Sequence, residues 1–94
     1  MSVRDEKVIS QLKRLAAEYL NHEGNGLSLI TVLDVKLLAK GHQAIIIIGV
    51  LPDHQAEAAL NFAKRRRTEL KDYIQKHLRI KRVPHLDFAL ERQN

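Results

Sequence analysis

The chain has 94 residues, with no cysteine and no tryptophan, so one small domain with a modest aliphatic core is expected, free of disulfides and thiolate-held zinc. Its 16 Lys/Arg against 11 Asp/Glu give a formal charge of +5, which favours a polyanionic partner, either nucleic acid or an anionic membrane surface. The opening MSVRDEKVIS carries charge where a signal peptide needs an apolar run, and the longest apolar run, Ala44 to Leu51, is far below the roughly 20 residues that span a bilayer; a cytoplasmic protein is expected.

The first element reads as a helix from about Arg4 to Leu20. Ser2 is its candidate N-cap, with Asp5 three residues on. Val8, Ile9, Leu12, Leu15, Ala16, Tyr19 and Leu20 recur at helical spacing and form one apolar stripe. Lys7, Lys13 and Arg14 lie off it. The stretch NHEGNG then stops the helix, because Gly24 and Gly26 permit positive φ. Two β-rich runs follow, Leu27 to Leu37 and Gln43 to Leu51, joined by LAKGH, which reads as a hairpin. Pro52 ends the second strand, and Asp53 is a candidate cap for the next helix. That helix covers about His54 to Leu78. Leu86, Phe88 and Leu90 alternate with His85, Asp87 and Ala89, so the chain closes on a half-buried strand. The order is helix, strand, strand, long helix, strand: an α+β two-layer sandwich, one three-stranded sheet with helices on one face.

The long helix poses a problem. At 1.5 Å per residue it would run roughly 37 Å, too long for one straight rod in so small a domain. It also holds four consecutive cations, Lys64 to Arg67. Four successive residues wrap a helix almost completely, so at least one points at the core. Placing Ala56, Leu60, Ala63, Leu70, Ile74 and Leu78 on one face puts Arg67 in the stripe. Either Arg67 lays its methylenes on the core and lifts its charge to water, or the helix breaks near Arg66–Thr68, with β-branched Thr68 as the bend-former. A break would bring the N-terminal amides of a second half-helix among Lys64, Arg65, Arg66 and Arg67, a setting suited to phosphate.

The five histidines are scattered, without metal-ligand spacing. Asp53, His54 and Glu57 open a helix, where acids serve as caps. No Gly-x-Ser-x-Gly, Walker or dinucleotide-binding loop occurs. The reading is of a protein that is not an enzyme and needs no cofactor, metal or small-molecule substrate. With so few aromatics, nucleic acid would be held through phosphates and shape.

Three stretches together carry a family likeness. Ala44, Ile46, Ile48 and Val50 alternate as A-x-V-x-V-x-V; Val83, Pro84, His85, Leu86, Asp87 and Phe88 form V-P-x-L-x-F; and Arg79, Lys81 and Arg82 precede it. Over nearly its whole length the chain resembles bacterial ribosome-binding factor A. The resemblance implies a type II KH-like fold whose broken helix, usually marked Ala-x-Gly, replaces the Gly-x-x-Gly loop of other KH domains. Here that position falls on Arg66, Arg67 and Thr68, and the long helix contains no Gly. It further implies a partner, the small ribosomal subunit and its rRNA during late maturation, and a link to growth in the cold. Lys64, Arg65, Arg66, Arg67, Lys71, Lys76, Arg79, Lys81 and Arg82 are the candidate RNA-binding residues, with Lys13 and Arg14 as weaker ones. A monomer is expected. A different class of function is a protein–protein module that self-associates through Ile45 and Ile47, which should point away from the helices.

Overall fold

In a computed structural model, which describes residues 3–24, 26–78, 80 and 82–91, the expected element order is present. Helix α1 covers Val3–Glu23, and strands β1 and β2 cover Leu29–Leu38 and Gln43–Leu51. Helices α2 (Ala56–Arg65) and α3 (Arg67–His77) follow, then strand β3 (His85–Leu90). The sheet order is β1-β2-β3, with β2 antiparallel to β1 and parallel to β3. The helical crossover between two parallel neighbours is what the sequence order demanded. The molecule measures 36 × 30 × 17 Å, and the short dimension is one sheet plus one helical layer.

The core forms between those layers. Leu12, Leu15, Ala16, Tyr19 and Leu20 of α1 meet Ile30, Val32 and Val35 of β1, Ala44, Ile46, Ile48 and Val50 of β2, and Leu86 and Phe88 of β3. Ala59 and Ala63 of α2 and Leu70 and Ile74 of α3 complete it. No charged or polar side chain is buried among the described residues.

Some boundaries differ from expectation. Helix α1 continues through Asn21, His22 and Glu23, and Gly24 does not take a positive φ; that falls on Gly26 at 78°. The candidate cap Ser2 lies outside the described residues. Asp53 opens a single 3₁₀ turn and makes no side-chain cap bond, as Gln55 N–H donates to Pro52 O instead. The hairpin loop places Ala39, Lys40 and Gly41 at φ of 52°, 56° and 88°, a left-handed run that a non-glycine residue tolerates only singly in most turns.

Strand β1 carries a bulge at Leu33, between the pairs Val32–Ile48 and Asp34–Ile47. Strict alternation would put Val32 and Val35 on opposite faces. One extra residue restores phase, so Ile30, Val32, Val35 and Leu37 all face the helices. The Asp34 carboxylate supports the irregularity by accepting the Val35 N–H at 2.8 Å. On the open face Ile45 and Ile47 are half-buried, as their position in the strand required. Ile45 lies between Lys36 and Asp87, and Ile47 between Asp34 and Ala89. Deleting Leu33 should turn Ile30 and Val32 away from the core and cost about 3–6 kcal/mol, from about 1.5–3 per buried aliphatic side chain, read as a lowered urea midpoint.

Candidate nucleic-acid interface

The long helix is broken, at one residue. Arg66 has φ −97° and ψ 9°, the bridge region that non-glycine residues occupy without severe strain. A glycine is therefore unnecessary. Arg66 N–H donates to Ala63 O at 3.0 Å, closing α2 with a tight turn, and Leu70 N–H donates to Arg66 O at 2.9 Å, starting α3. Thr68, the expected bend-former, sits two residues past the break inside the first turn of α3. The expected cradle of free amides is narrowed: the Arg66 N–H is bonded, and Glu69 already sets an acid against the positive end of α3.

The break divides the four cations. The Arg66 guanidinium turns back onto the protein: its Nη1 donates to Glu69 Oε2 at 3.0 Å, lies 3.8 Å from Glu23 Oε2, and its carbon sits 5.2 Å from the Phe62 ring centroid. Tyr19, buried on α1, donates its hydroxyl to the same Glu69 oxygen at 2.6 Å. Burial, then the hydrogen bond to Glu69, pushes the Tyr19 phenol up to about 12. The bonds from Tyr19 and Arg66 hold the Glu69 carboxyl below its usual range, and the bond to Glu69 raises Arg66 further. Arg67 reaches Asp87 of β3 at 3.6 Å. At 43 % exposed it does not enter the core; the buried stripe runs through Ala59, Ala63, Leu70, Ile74 and Leu78, with Ala56, Leu60 and Arg67 along its flank. Of the two outcomes, the break is the one observed, and the Arg67 charge stands beside the stripe at Asp87.

Lys64 and Arg65 are exposed and, among the described residues, make no ion pair. Lys71, Lys76 and Arg82 are exposed as well. Arg79 and Lys81 lie outside the described residues. Along the outer surface, Asn61, Lys64, Thr68, Lys71 and Gln75 recur at three- and four-residue spacing and are all exposed, with exposed Glu57 four residues before Asn61 and exposed Asp72 four after Thr68. The neighbouring row, Arg65, Glu69, Asp72 and Lys76, mixes both signs. The first row offers ammonium, amide and hydroxyl donors, the groups that hold phosphate oxygens. Its signal was present in the sequence but was masked by the four adjacent cations. On α1, Lys13 is exposed and Arg14 pairs with Glu18 at 3.1 Å.

A helix–strand–strand–broken helix–strand order, with its break inside a basic stretch, defines a KH-like α+β protein. Solved structures of ribosome-binding factor A are among those it resembles. The crystal structure of ribosome-binding factor A from Thermus thermophilus matches with a TM-score of 0.81 and 26 % identity, over 90 % of this chain and 92 % of that one. A homology model of the Thermus thermophilus factor, fitted into the cryo-EM map of a 30S complex with that factor, matches with 0.75 and 27 %, over 86 % and 88 %. A Thermotoga maritima protein solved by solution NMR shares the fold with 0.74 and 21 %, over 89 % and 83 %. No protein-family model and no curated protein matches the sequence.

Replacing Tyr19 by Phe should destabilise the fold by about 1.5 kcal/mol, the loss of one hydrogen bond to a charged group. Because the folded phenol is raised, its contribution is intact below the ordinary tyrosine range and disappears as pH climbs through about 12. Tyrosinate absorbance should show the most alkaline step in the parent chain and lose it in Tyr19→Phe.

Proposed function

We propose that this chain is a ribosome assembly factor that binds the small ribosomal subunit and assists late maturation of 16S rRNA, acting as one KH-like domain over residues 1–94. The observation that carries the proposal is the structural likeness to ribosome-binding factor A over nine-tenths of the chain, one such neighbour being fitted into a map of a 30S complex. The protein acts by binding, not by catalysis, and as a monomer in the cytoplasm. The exposed cations Lys64, Arg65 and Lys71, none of them in an ion pair among the described residues, support the rRNA assignment, since free cations are what phosphate contacts need.

Lys64, Arg65, Lys71, Lys76 and Arg82 supply the phosphate contacts, and Arg79 and Lys81 extend the strip. Arg66 and Arg67 complete the positive surface with guanidiniums already shared with carboxylates, so their main task is to hold the break. Self-association through Ile45 and Ile47 is disfavoured, because Lys36, Asp87 and Asp34 flank them and would lose water on pairing.

Changing Lys64, Arg65 and Lys71 together to Ala should leave the melting temperature near that of the parent while weakening subunit binding. The slope of log K against log salt should flatten by about 0.7–0.9 per lost phosphate contact. Sedimentation with small subunits across a salt series measures it. Unchanged affinity and slope would remove this surface from the interface.

A further inference from the structure

Beside the basic row lies a groove of about 350 Å³ between the C-terminal end of α1, the start of β1 and α2. Its floor is apolar, made by Leu20, Ile30 and Ala59. Around it stand three neutral hydrogen-bonding side chains, Asn21, Ser28 and Gln55, and one charge, Arg65; no carboxylate of the described residues lines it. Phe62 forms part of the wall, and its ring is pinned by the Arg66 guanidinium 5.2 Å from its centroid.

We propose that this groove receives one unstacked nucleotide of single-stranded RNA. The proposal rests on the rRNA-binding reading and adds to it a place for a base. A base has a flat apolar face and a polar edge, and the groove offers an aromatic wall, an aliphatic floor and neutral donors and acceptors at its margin. A phosphate beside that base meets Arg65, the sole ion of the lining and, among the described residues, a cation without a carboxylate partner. A cationic margin on an acid-free lining complements a nucleotide better than it does an acyl chain or an apolar peptide. The remaining aromatics are committed elsewhere: Phe88 and Tyr19 are buried, and Tyr73 stacks with Tyr19 and His77 at 5.5 Å and 4.1 Å. Phe62, half-buried against the core with Arg66 over its ring, is the aromatic that borders the groove.

Ala58 lines the groove from an exposed turn of α2, so Ala58→Leu fills the space without entering the core. Fluorescence anisotropy with a single-stranded pentaribonucleotide and with a short RNA duplex tests the proposal. Ala58→Leu should weaken single-strand binding about tenfold, the scale of one lost base stack, and leave duplex binding and both salt slopes unchanged. Gln55→Ala and Asn21→Ala, which add no bulk, should weaken the single strand several-fold in the same selective way. Equal losses on both probes, or no loss on either, overturn the groove assignment. So do amide shifts at Ala58 and Phe62 that follow an apolar pentapeptide and not the pentaribonucleotide. Failure of the underlying rRNA reading looks different: the Lys64, Arg65, Lys71 variant would then bind small subunits as the parent does.

Discussion

Arg66 stands where α1, α2 and α3 meet, and the Glu69 carboxylate beneath it joins them. One carboxylate oxygen accepts from both Arg66 and Tyr19. The ion pairs themselves are solvated, with side-chain exposures of 36 % for Arg66 and 59 % for Glu69, and pairs of that kind contribute little. The constraint comes from Tyr19. Its ring is in the core, and a buried hydroxyl left without a partner costs about 1–3 kcal/mol. Glu69 can meet that need only if α3 begins where it does, so the start of α3 is fixed by a phenol on α1. Arg66 then compensates the carboxylate, and its stacking on Phe62 draws the end of α2 to the same point.

The fate of the basic run follows from this anchor. Arg66 is turned toward Glu69 and Glu23, and Arg67, the first residue of α3, lies on the side of β3, where Asp87 meets it. Lys64 and Arg65 are left on the outside. Two of four adjacent cations therefore serve the fold and two face solvent, and the division needs no glycine at the break. The same turn of chain produces the bend and the positive surface. A uniformly solvated rod would carry more free charge but would have no defined edge along which to place it.

Much of the architecture was legible in the sequence because it follows periodicities of two and 3.6. The bounds of β2, the hairpin, the parallel return through a helix and the break near Arg66 all come from local patterning. The bulge at Leu33 was equally visible, as the apolar phase changes from Ile30 and Val32 to Val35 and Leu37, yet a reading that looks only for strand composition passes over a phase change. A helical wheel centred on the large residues Leu60 and Ile74 puts Arg67 in the stripe. The buried centre is built from Ala59 and Ala63, small residues that let α2 approach the sheet closely. Tyr19 and Glu69 are 50 residues apart, and no local pattern brings them together. The groove beside Phe62 is likewise assembled from three distant segments, so its residues carry no shared signal along the chain.

The scarcity of aromatics now has a structural meaning. Of two Tyr and two Phe, all four rings take part in packing, and Phe62 alone also lines a groove at the helical surface. Stacking several successive bases needs several exposed rings, so extended single-strand readout is outside this surface's capacity. On the proposed function, the cations and neutral donors along α2 and α3 are placed to address phosphates, whose spacing depends on how an RNA is folded rather than on its sequence. A surface of this kind selects a shape, and its affinity rises only where several phosphates already stand at the spacing of Lys64 and Lys71. Under the proposed rRNA-binding function, such a surface would hold RNA that has reached a particular fold and release it when that fold changes, as a protein that occupies a folding RNA for a limited time requires.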